Sequence, residues 1–144
     1  MASVFDVAAY ILEKRGQTTH MKLQKLAYYA QAWSLVWDEA PLFDERIEAW
    51  ANGPVVPDLF ARLQGKYAVN KHDLRKGSTS HLSPKQKETI DRILEYYGGR
   101  DPQWLSDLTH MESPWLEARR GLSPGERSNH EITHAAMADY YSSL

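Results

Sequence analysis

Apolar residues recur at helical spacing in the first third of the chain. A first helix is predicted over about Val4–Arg15, because Ser3 is a capping residue and Gly16 favours termination. A longer second helix is predicted to begin after Thr18 or Thr19. Its apolar stripe consists of Leu23, Leu26, Ala27, Ala30, Trp33 and Trp37. Such a stripe needs neighbouring elements to cover it, so this helix is predicted to lie at the centre of the fold.

The segment from residue 43 to residue 57 breaks the helical pattern. Charged residues interrupt its apolar positions, and Asn52-Gly53-Pro54 is a strong turn sequence. Val55-Val56-Pro57 favours extended backbone, and Pro57 is suited to the first position of a further helix. A short extended or hairpin excursion is therefore predicted here.

The second half of the chain contains four helix-start sequences. Each places a capping residue before a proline or three residues before a glutamate or glutamine. They are Ser83-Pro84 with Gln86, Asp101-Pro102, Ser113-Pro114, and Ser128 with Glu131. The predicted fold class is mainly α: a single compact domain, residues 1–144, of about seven helices with one extended or hairpin excursion near residues 43–57.

Composition narrows the functional classes. The 144 residues include no cysteine, which excludes disulfides and thiolate chemistry, and the net charge of −2 argues against nucleic acid as a partner. The N-terminus lacks the features of a signal peptide, and no apolar run approaches the roughly 18 residues that span a bilayer, so a cytoplasmic protein without membrane contact is predicted.

Tryptophan and tyrosine are abundant, and both are typical of protein interfaces as well as cores. The chain has five Trp and eight Tyr but three Phe. Helical spacing places Trp33, Trp37 and Trp104 in the predicted core. The roles of Trp50 and Trp115 are left open by this pattern.

His130-Glu131-Ile132-Thr133-His134 is the sharpest local motif and reads H-E-x-x-H on a predicted helix. Two histidines four residues apart can bind zinc, with Glu131 as general base. A catalytic zinc needs a third protein ligand, and after His134 only Asp139 has a metal-binding side chain, so the third ligand would have to come from upstream. A small zinc-dependent hydrolase is thus the enzymatic alternative. The preferred interpretation is that no metal or cofactor is bound and that Ser128 caps the last helix.

A second polar cluster surrounds His110. His110 and Glu112 are two residues apart, so on a helix they do not face each other as an acid and base pair. No nucleophile motif or phosphate-binding glycine loop accompanies them. This absence favours a non-enzymatic protein.

Several short motifs, in this order along the chain, resemble the Panacea domain, also described as SocA-like. They are Lys22-Leu23-Gln24-Lys25-Leu26-Ala27-Tyr28-Tyr29-Ala30 followed by Pro41-Leu42-Phe43, then Ile47 to Pro57, then Leu108-Thr109-His110, then Pro114-Trp115. The resemblance extends from about Val4 to Tyr141. It implies an antitoxin of a bacterial or prophage toxin–antitoxin system, which neutralises a cognate protein toxin encoded by a neighbouring gene. The SocA type instead delivers its toxin to a ClpXP-type protease, and this adaptor role is the first alternative.

A partner surface is expected near the predicted turn, because a rigid turn loses little entropy on binding and aromatic side chains make strong anchors. The candidate partner-binding residues are Tyr28, Trp50, Asn52, Gly53, Pro54, Val55, Val56, Pro57, His110 and Trp115. Apolar and Gly-Pro positions in this set also suit a scaffold role.

Overall fold

The chain folds into a mainly helical domain, as described by a computed structural model that covers residues 2–144. The α-helices in this range are α1 (Val4–Arg15), α2 (His20–Trp37), α3 (Pro57–Leu63), α4 (Pro84–Tyr97), α5 (Pro102–His110), α6 (Ser113–Ala118) and α7 (His134–Tyr141). The strands are β1 (Thr18–Thr19), β2 (Ile47–Trp50), β3 (Gly53–Val55), β4 (Ala68–Val69) and β5 (Glu131–Ile132). The predicted fold class is confirmed.

Helix α2 lies at the centre of the domain, as its apolar stripe predicts. The Thr19 side chain caps it by accepting a hydrogen bond from the backbone N–H of Lys22. Every residue from Leu23 to Ala32 is buried, because α1, α4, α5, α7 and β3 all pack against this helix. A helix covered on all sides must also bury its polar side chains, and these need partners.

Gln31 illustrates how α2 meets this requirement. Its side chain is fully buried, and its Oε1 accepts hydrogen bonds from the backbone N–H groups of Leu42 at 2.7 Å and Phe43 at 3.3 Å. Its Nε2 donates to the carbonyl oxygen of Phe43 at 2.8 Å. One side chain of the central helix therefore fixes the start of the loop that leads to β2.

Strands β2 and β3 form a hairpin inside the predicted excursion. Glu48 pairs with Val55, and Trp50 pairs with Gly53 across the turn. On its other edge β2 pairs antiparallel with β5, where Ile47 faces Ile132. Strands β1 and β4 form a separate two-stranded ribbon. The pairing of β2 with β5 was not predicted, because β5 is two residues long and its extended conformation depends on a distant partner.

The start of the last helix was predicted wrongly. Ser128 does not cap it; α7 begins at His134, after the N-cap Thr133. Glu131 and Ile132 are extended because they complete the sheet with β2, and this long-range pairing overrides the local capping pattern. Trp104 also departs from its predicted core position: it is 36% exposed, and the guanidinium of Arg100 lies over its ring.

A buried carboxylate is enclosed by tyrosines in the core between α2, α6 and α7. Glu112 Oε1 accepts hydrogen bonds from the hydroxyls of Tyr29 at 2.7 Å and Tyr141 at 2.8 Å. The Tyr28 hydroxyl lies 2.9 Å from that of Tyr141 and donates to it, since the Tyr141 proton is committed to Glu112. Tyr29 also stacks on Tyr97, with ring centroids 4.1 Å apart. This network joins three helices through one acceptor oxygen.

A second buried carboxylate attaches the long segment before α4 to the start of α1. Asp6 Oδ2 accepts from the backbone N–H of Ser3, which completes a capping box, and Oδ1 accepts from the N–H of Ser78 at 2.8 Å. His81 Nδ1 lies 3.2 Å from the same Oδ1. Burial raises the pKa of Asp6, but these hydrogen bonds outweigh it and hold the pKa below its ordinary value.

Glu112→Gln is expected to gain stability relative to the wild type as the pH rises, because Gln cannot ionise at this buried position. Burial raises the pKa of Glu112, and the hydrogen bonds from Tyr29 and Tyr141 oppose this only in part. The folded protein therefore holds the proton more tightly than the unfolded chain, and the wild type loses stability relative to the Gln variant as the pH rises above about 4.5. Urea unfolding of both proteins at pH 4.5 and pH 7 measures this; a variant that loses relative stability over this interval would contradict it.

Asp6→Asn is expected to lower the free energy of unfolding at pH 7 by about 1–3 kcal/mol. The substituted amide places an NH2 group where both Asp6 oxygens now face N–H donors. Because the pKa of Asp6 is depressed on folding, the difference from wild type should shrink as the pH falls below about 3.8. Asp139→Asn, at an exposed position of α7, is the matched control and should change stability little at either pH.

Candidate functional site

The turn of the β2–β3 hairpin is fixed by side chains of α5 and α6. The Ser106 hydroxyl and the Trp115 indole N–H donate to the carbonyl oxygens of Asn52 and Trp50, at 2.9 and 2.8 Å. His110 Nε2 lies 2.9 Å from the carbonyl oxygen of the residue between them. Three consecutive carbonyl groups of the turn are thus held from the same side. The hairpin is a rigid element with one face free of α5 and α6.

Arg119 organises the irregular segment that follows α6. Its guanidinium is buried, and Nη1 donates to the carbonyl oxygen of Ala49 in β2 at 2.9 Å. Nη2 lies within 3.2 Å of the carbonyl oxygens of Ser123, Pro124 and Glu126. One side chain therefore holds this segment beside the hairpin. We call residues 122–130 the wall segment.

The structure divides the ten candidate partner-binding residues into a buried and an accessible group. The buried residues are Tyr28, Gly53, Pro54, Val55, Val56 and Trp115. Tyr28 belongs to the tyrosine network in the core, and Trp115 supports the hairpin from behind. Trp50, Asn52, Pro57 and His110 retain exposed surface. The accessible part of the predicted set is therefore centred on Trp50 and Asn52 at the hairpin turn.

A cleft of about 760 Å³ opens between the hairpin, the first turns of α2 and the wall segment. Its lining residues are His20, Met21, Gln24 and Lys25 of α2, Glu48, Trp50, Ala51, Asn52 and Val55 of the hairpin, Phe60 of α3, and Leu122, Glu126, Arg127, Ser128, Asn129 and His130 of the wall segment. The volume lies in the range of ligand pockets. Four of its lining residues, Met21, Trp50, Phe60 and Leu122, have large apolar side chains, and most of the others are polar. The cleft therefore offers both apolar surface and polar groups.

Lys25 lies at the floor of this cleft. The residue is 1% exposed, and burial alone lowers the pKa of its ammonium to about 8, with no acidic or hydrogen-bonding group of residues 2–144 contributing to the shift. Every fully buried side-chain nitrogen or oxygen in the described chain has a hydrogen-bond partner, whereas Lys25 Nζ has none. Nζ is therefore not fully buried, and the small accessible surface of Lys25 faces the cleft that it lines.

Gly53 allows the lysine to reach this position. Its φ of 122° is one that residues with a side chain rarely adopt. A Cβ built there would lie 2.6 Å from Cε and 3.2 Å from Nζ of Lys25. The hairpin backbone thus passes directly against the lysine side chain. Two motifs that are distant in sequence meet at this contact.

Gln24 orients a second polar group in the cleft. Its Oε1 accepts from the backbone N–H of Val56 at 2.9 Å, so its Nε2 is the donor to His20 Nε2 at 3.0 Å. The accepting Nε2 of His20 is then unprotonated, and the proton of the neutral ring lies on Nδ1. Burial and the nearby Lys25 charge both lower the pKa of His20, which favours this neutral form.

The acidic side chains of the cleft are already engaged. Glu48 Oε1 accepts from the Trp50 indole at 2.9 Å, and its Oε2 lies 3.1 Å from Arg46 Nε. Glu126 Oε1 accepts from the backbone N–H of Ser123. Neither carboxylate lies within ion-pair distance of the Lys25 ammonium in the described chain.

The H-E-x-x-H motif does not lie on one helix face, and the predicted helix was wrong. His130 precedes β5 and its Nδ1 lies 2.8 Å from the carbonyl oxygen of Ala118. Glu131 is in β5, and His134 is the first residue of α7. Throughout residues 2–144, no three His, Asp or Glu side chains lie together in a geometry that could hold a metal ion.

No helix in the same range is long and apolar enough to cross a membrane.

Sequence reasoning missed the polar floor of the cleft. Lys25 is part of a motif that was recognised, but its neighbours on the helix face are Tyr28 and Tyr29, three and four residues later. A lone lysine on a face of buried aromatic residues was the available signal. The contribution of the wall segment left no such signal, since only folding brings it beside the hairpin.

Comparisons with known proteins agree with the resemblance seen in the motifs. The family described as "Antitoxin SocA-like, Panacea domain" matches residues 23–116. Antitoxin SocA of Caulobacter vibrioides (strain NA1000 / CB15N) is 32% identical over an alignment of 124 residues, and the match covers 76% of this chain and 66% of the relative. The chain thus spans slightly less than two thirds of that relative's length. No solved structure gives a significant match. Because the family match covers more than half of the sequence and includes both Lys25 and the hairpin, the chain belongs to the Antitoxin SocA-like, Panacea domain family.

Proposed function

We propose that this protein is the antitoxin of a toxin–antitoxin pair and that it neutralises a cognate protein toxin, encoded by a neighbouring gene, through direct binding. Membership of the antitoxin family supports the general role. The cleft beside the β2–β3 hairpin is the observation that carries the binding mechanism. It is large enough to receive side chains of a partner, and its hairpin edge is held rigid by α5 and α6.

Trp50 is the proposed anchor at the rim of the cleft. Its ring packs edge-on against Phe60 with centroids 4.9 Å apart, and its indole N–H is fixed by Glu48. The side chain remains half-buried and lines the cleft. A preordered tryptophan at a concave surface binds a partner with little further loss of rotamer freedom. Asn52, exposed at the turn, adds a polar group beside it.

A binding role is favoured over catalysis. The family name supports an antitoxin, and the zinc hydrolase alternative depended on a helix that the chain does not form at His130–His134. The proposed site therefore works by contact, with Trp50 and Asn52 as accessible contacts and the buried hairpin residues as their support.

Co-expression with the neighbouring gene is expected to restore growth that the neighbour alone abolishes. The toxin should persist in a complex that co-purifies with this protein at unchanged cellular abundance. Growth measurements combined with toxin quantification after translation arrest test this. A neighbour that is harmless, or equally toxic in the presence of this protein, would refute the antitoxin role. Faster disappearance of the toxin would instead assign the adaptor mechanism and contradict sequestration.

Trp50→Ala is expected to weaken toxin binding by about 2 kcal/mol or more, the loss typical of an interface anchor. Trp104→Ala is the matched control, because Trp104 is an exposed tryptophan of α5 outside the cleft. Isothermal titration with the purified toxin compares the two, and circular dichroism verifies that both variants are folded. Equal affinities for the two variants would remove Trp50 from the interface.

A further inference from the structure

The cleft floor carries a positive charge that the protein itself does not neutralise. Lys25 is 1% exposed, and burial alone lowers the pKa of its ammonium. Removing an ammonium from water is costly unless an opposite charge or hydrogen-bond acceptors compensate. The other buried polar side chains of α2 show the alternative, since Gln24 and Gln31 are both bonded to backbone groups.

The surroundings of Lys25 are arranged to keep the charge available. The cleft carboxylates Glu48 and Glu126 are bonded to other groups, and neither forms an ion pair with Lys25 among the described residues. Gly53 removes the Cβ that would displace the lysine from the floor. The Nδ1–H of His20, the second inward-facing polar residue, has no acceptor among the described residues and lines the same cleft. The floor thus offers two hydrogen-bond donors, the Lys25 ammonium and the His20 Nδ1–H.

We propose that the toxin inserts an acidic side chain, Asp or Glu, into this cleft and that its carboxylate pairs with the ammonium of Lys25. This inference rests on the proposed function and names the chemistry that the toxin presents. A carboxylate supplies the compensation that the buried ammonium lacks, and a charged hydrogen bond of this kind is strong in a desolvated site. Trp50, Phe60 and Met21 also line the cleft and fit the apolar parts of the inserted segment.

An acidic side chain of a polypeptide fits the cleft better than a small free carboxylate. The volume of about 760 Å³ is much larger than one carboxylate needs, and large apolar side chains line the cleft together with the buried lysine. A chain segment fills both parts at once, with the carboxylate at the floor and its neighbouring residues at the aromatic rim.

Lys25→Met tests the pairing, because methionine keeps an unbranched side chain and removes the charge. The toxin complex of this variant is expected to be at least about 30-fold weaker than that of the wild type. Thermal melting should stay equal or rise, since an uncompensated buried charge is lost. Lys22→Met is the matched control on the same helix, outside the cleft, and should retain wild-type affinity. Equal affinities for Lys25→Met and wild type would overturn the proposal.

The pH dependence distinguishes a charge pair from loss of packing. Above about pH 8 the free Lys25 loses its proton, so the wild-type Kd should rise by up to tenfold per pH unit relative to that of Lys25→Met. The other charged or titratable groups lining the cleft are His20, Glu48, Glu126, Arg127 and His130, and they are common to both proteins. A constant ratio of the two Kd values from pH 7 to pH 9.5 would contradict the pairing.

Toxin variants identify the source of the carboxylate. Single Asp→Asn and Glu→Gln changes are made across the toxin, and one of them should remove the affinity difference between wild type and Lys25→Met. A toxin extended by Gly-Ser at its C-terminus should keep that difference. If only the extension removes it, the C-terminal carboxylate is the ligand and the side-chain assignment is wrong. If the wild type forms no complex, the proposed function fails; if it binds without dependence on Lys25, this inference alone fails.

Discussion

The structure depends on the burial of α2 from Leu23 to Ala32. A buried stretch of helix has no solvent to satisfy its polar side chains, so these must bond to whatever packs against them. Gln24 and Gln31 use this constraint to position the chain, the first at Val56 and the second at Leu42 and Phe43. The central helix therefore sets the path of the backbone on both sides of the hairpin. The core and the cleft share one scaffold.

Lys25 is the exception to this rule, because its ammonium has no bonding partner among the described residues. It is also one of the residues that line the cleft. Its neighbours on the helix are either apolar or bonded, and the hairpin glycine is shaped to accommodate it. Buried groups with shifted pKa values are common at functional sites, because the arrangements that shift them serve function at a cost in stability. Lys25 and Asn52 thus line one cleft, although they lie 27 positions apart in the sequence.

The sequence predicted those features that depend on local chemistry. Ser83 caps α4 with the expected reciprocal bonds to Gln86, Thr19 caps α2, and the hairpin forms at the predicted turn. Features created by distant partners were not predictable. Ser128 has the composition of a helix cap, yet the residues after it extend to pair with β2, which also separates the two histidines of the H-E-x-x-H motif.

The candidate site was predicted in part for the same reason. The turn was identified from its own residues, but its buried members could not be told from accessible ones, because Lys25 and Thr109, which pack against Gly53, come from elsewhere in the chain. The floor of the cleft needed three segments to be brought together. The aromatic helix face of Lys25 is visible in the sequence, but only the folded arrangement places this lysine in the cleft.

Arg119 couples the two sides of the cleft to each other. The same guanidinium holds β2 at Ala49 and the wall segment at Ser123, Pro124 and Glu126. The two sides of the opening consequently share their anchoring hydrogen bonds, so neither can detach without weakening the other. Local unfolding in this region should be cooperative, with hairpin and wall opening as one unit instead of as a lid over a static base. Amide protons on both sides are then expected to exchange with solvent through a common opening.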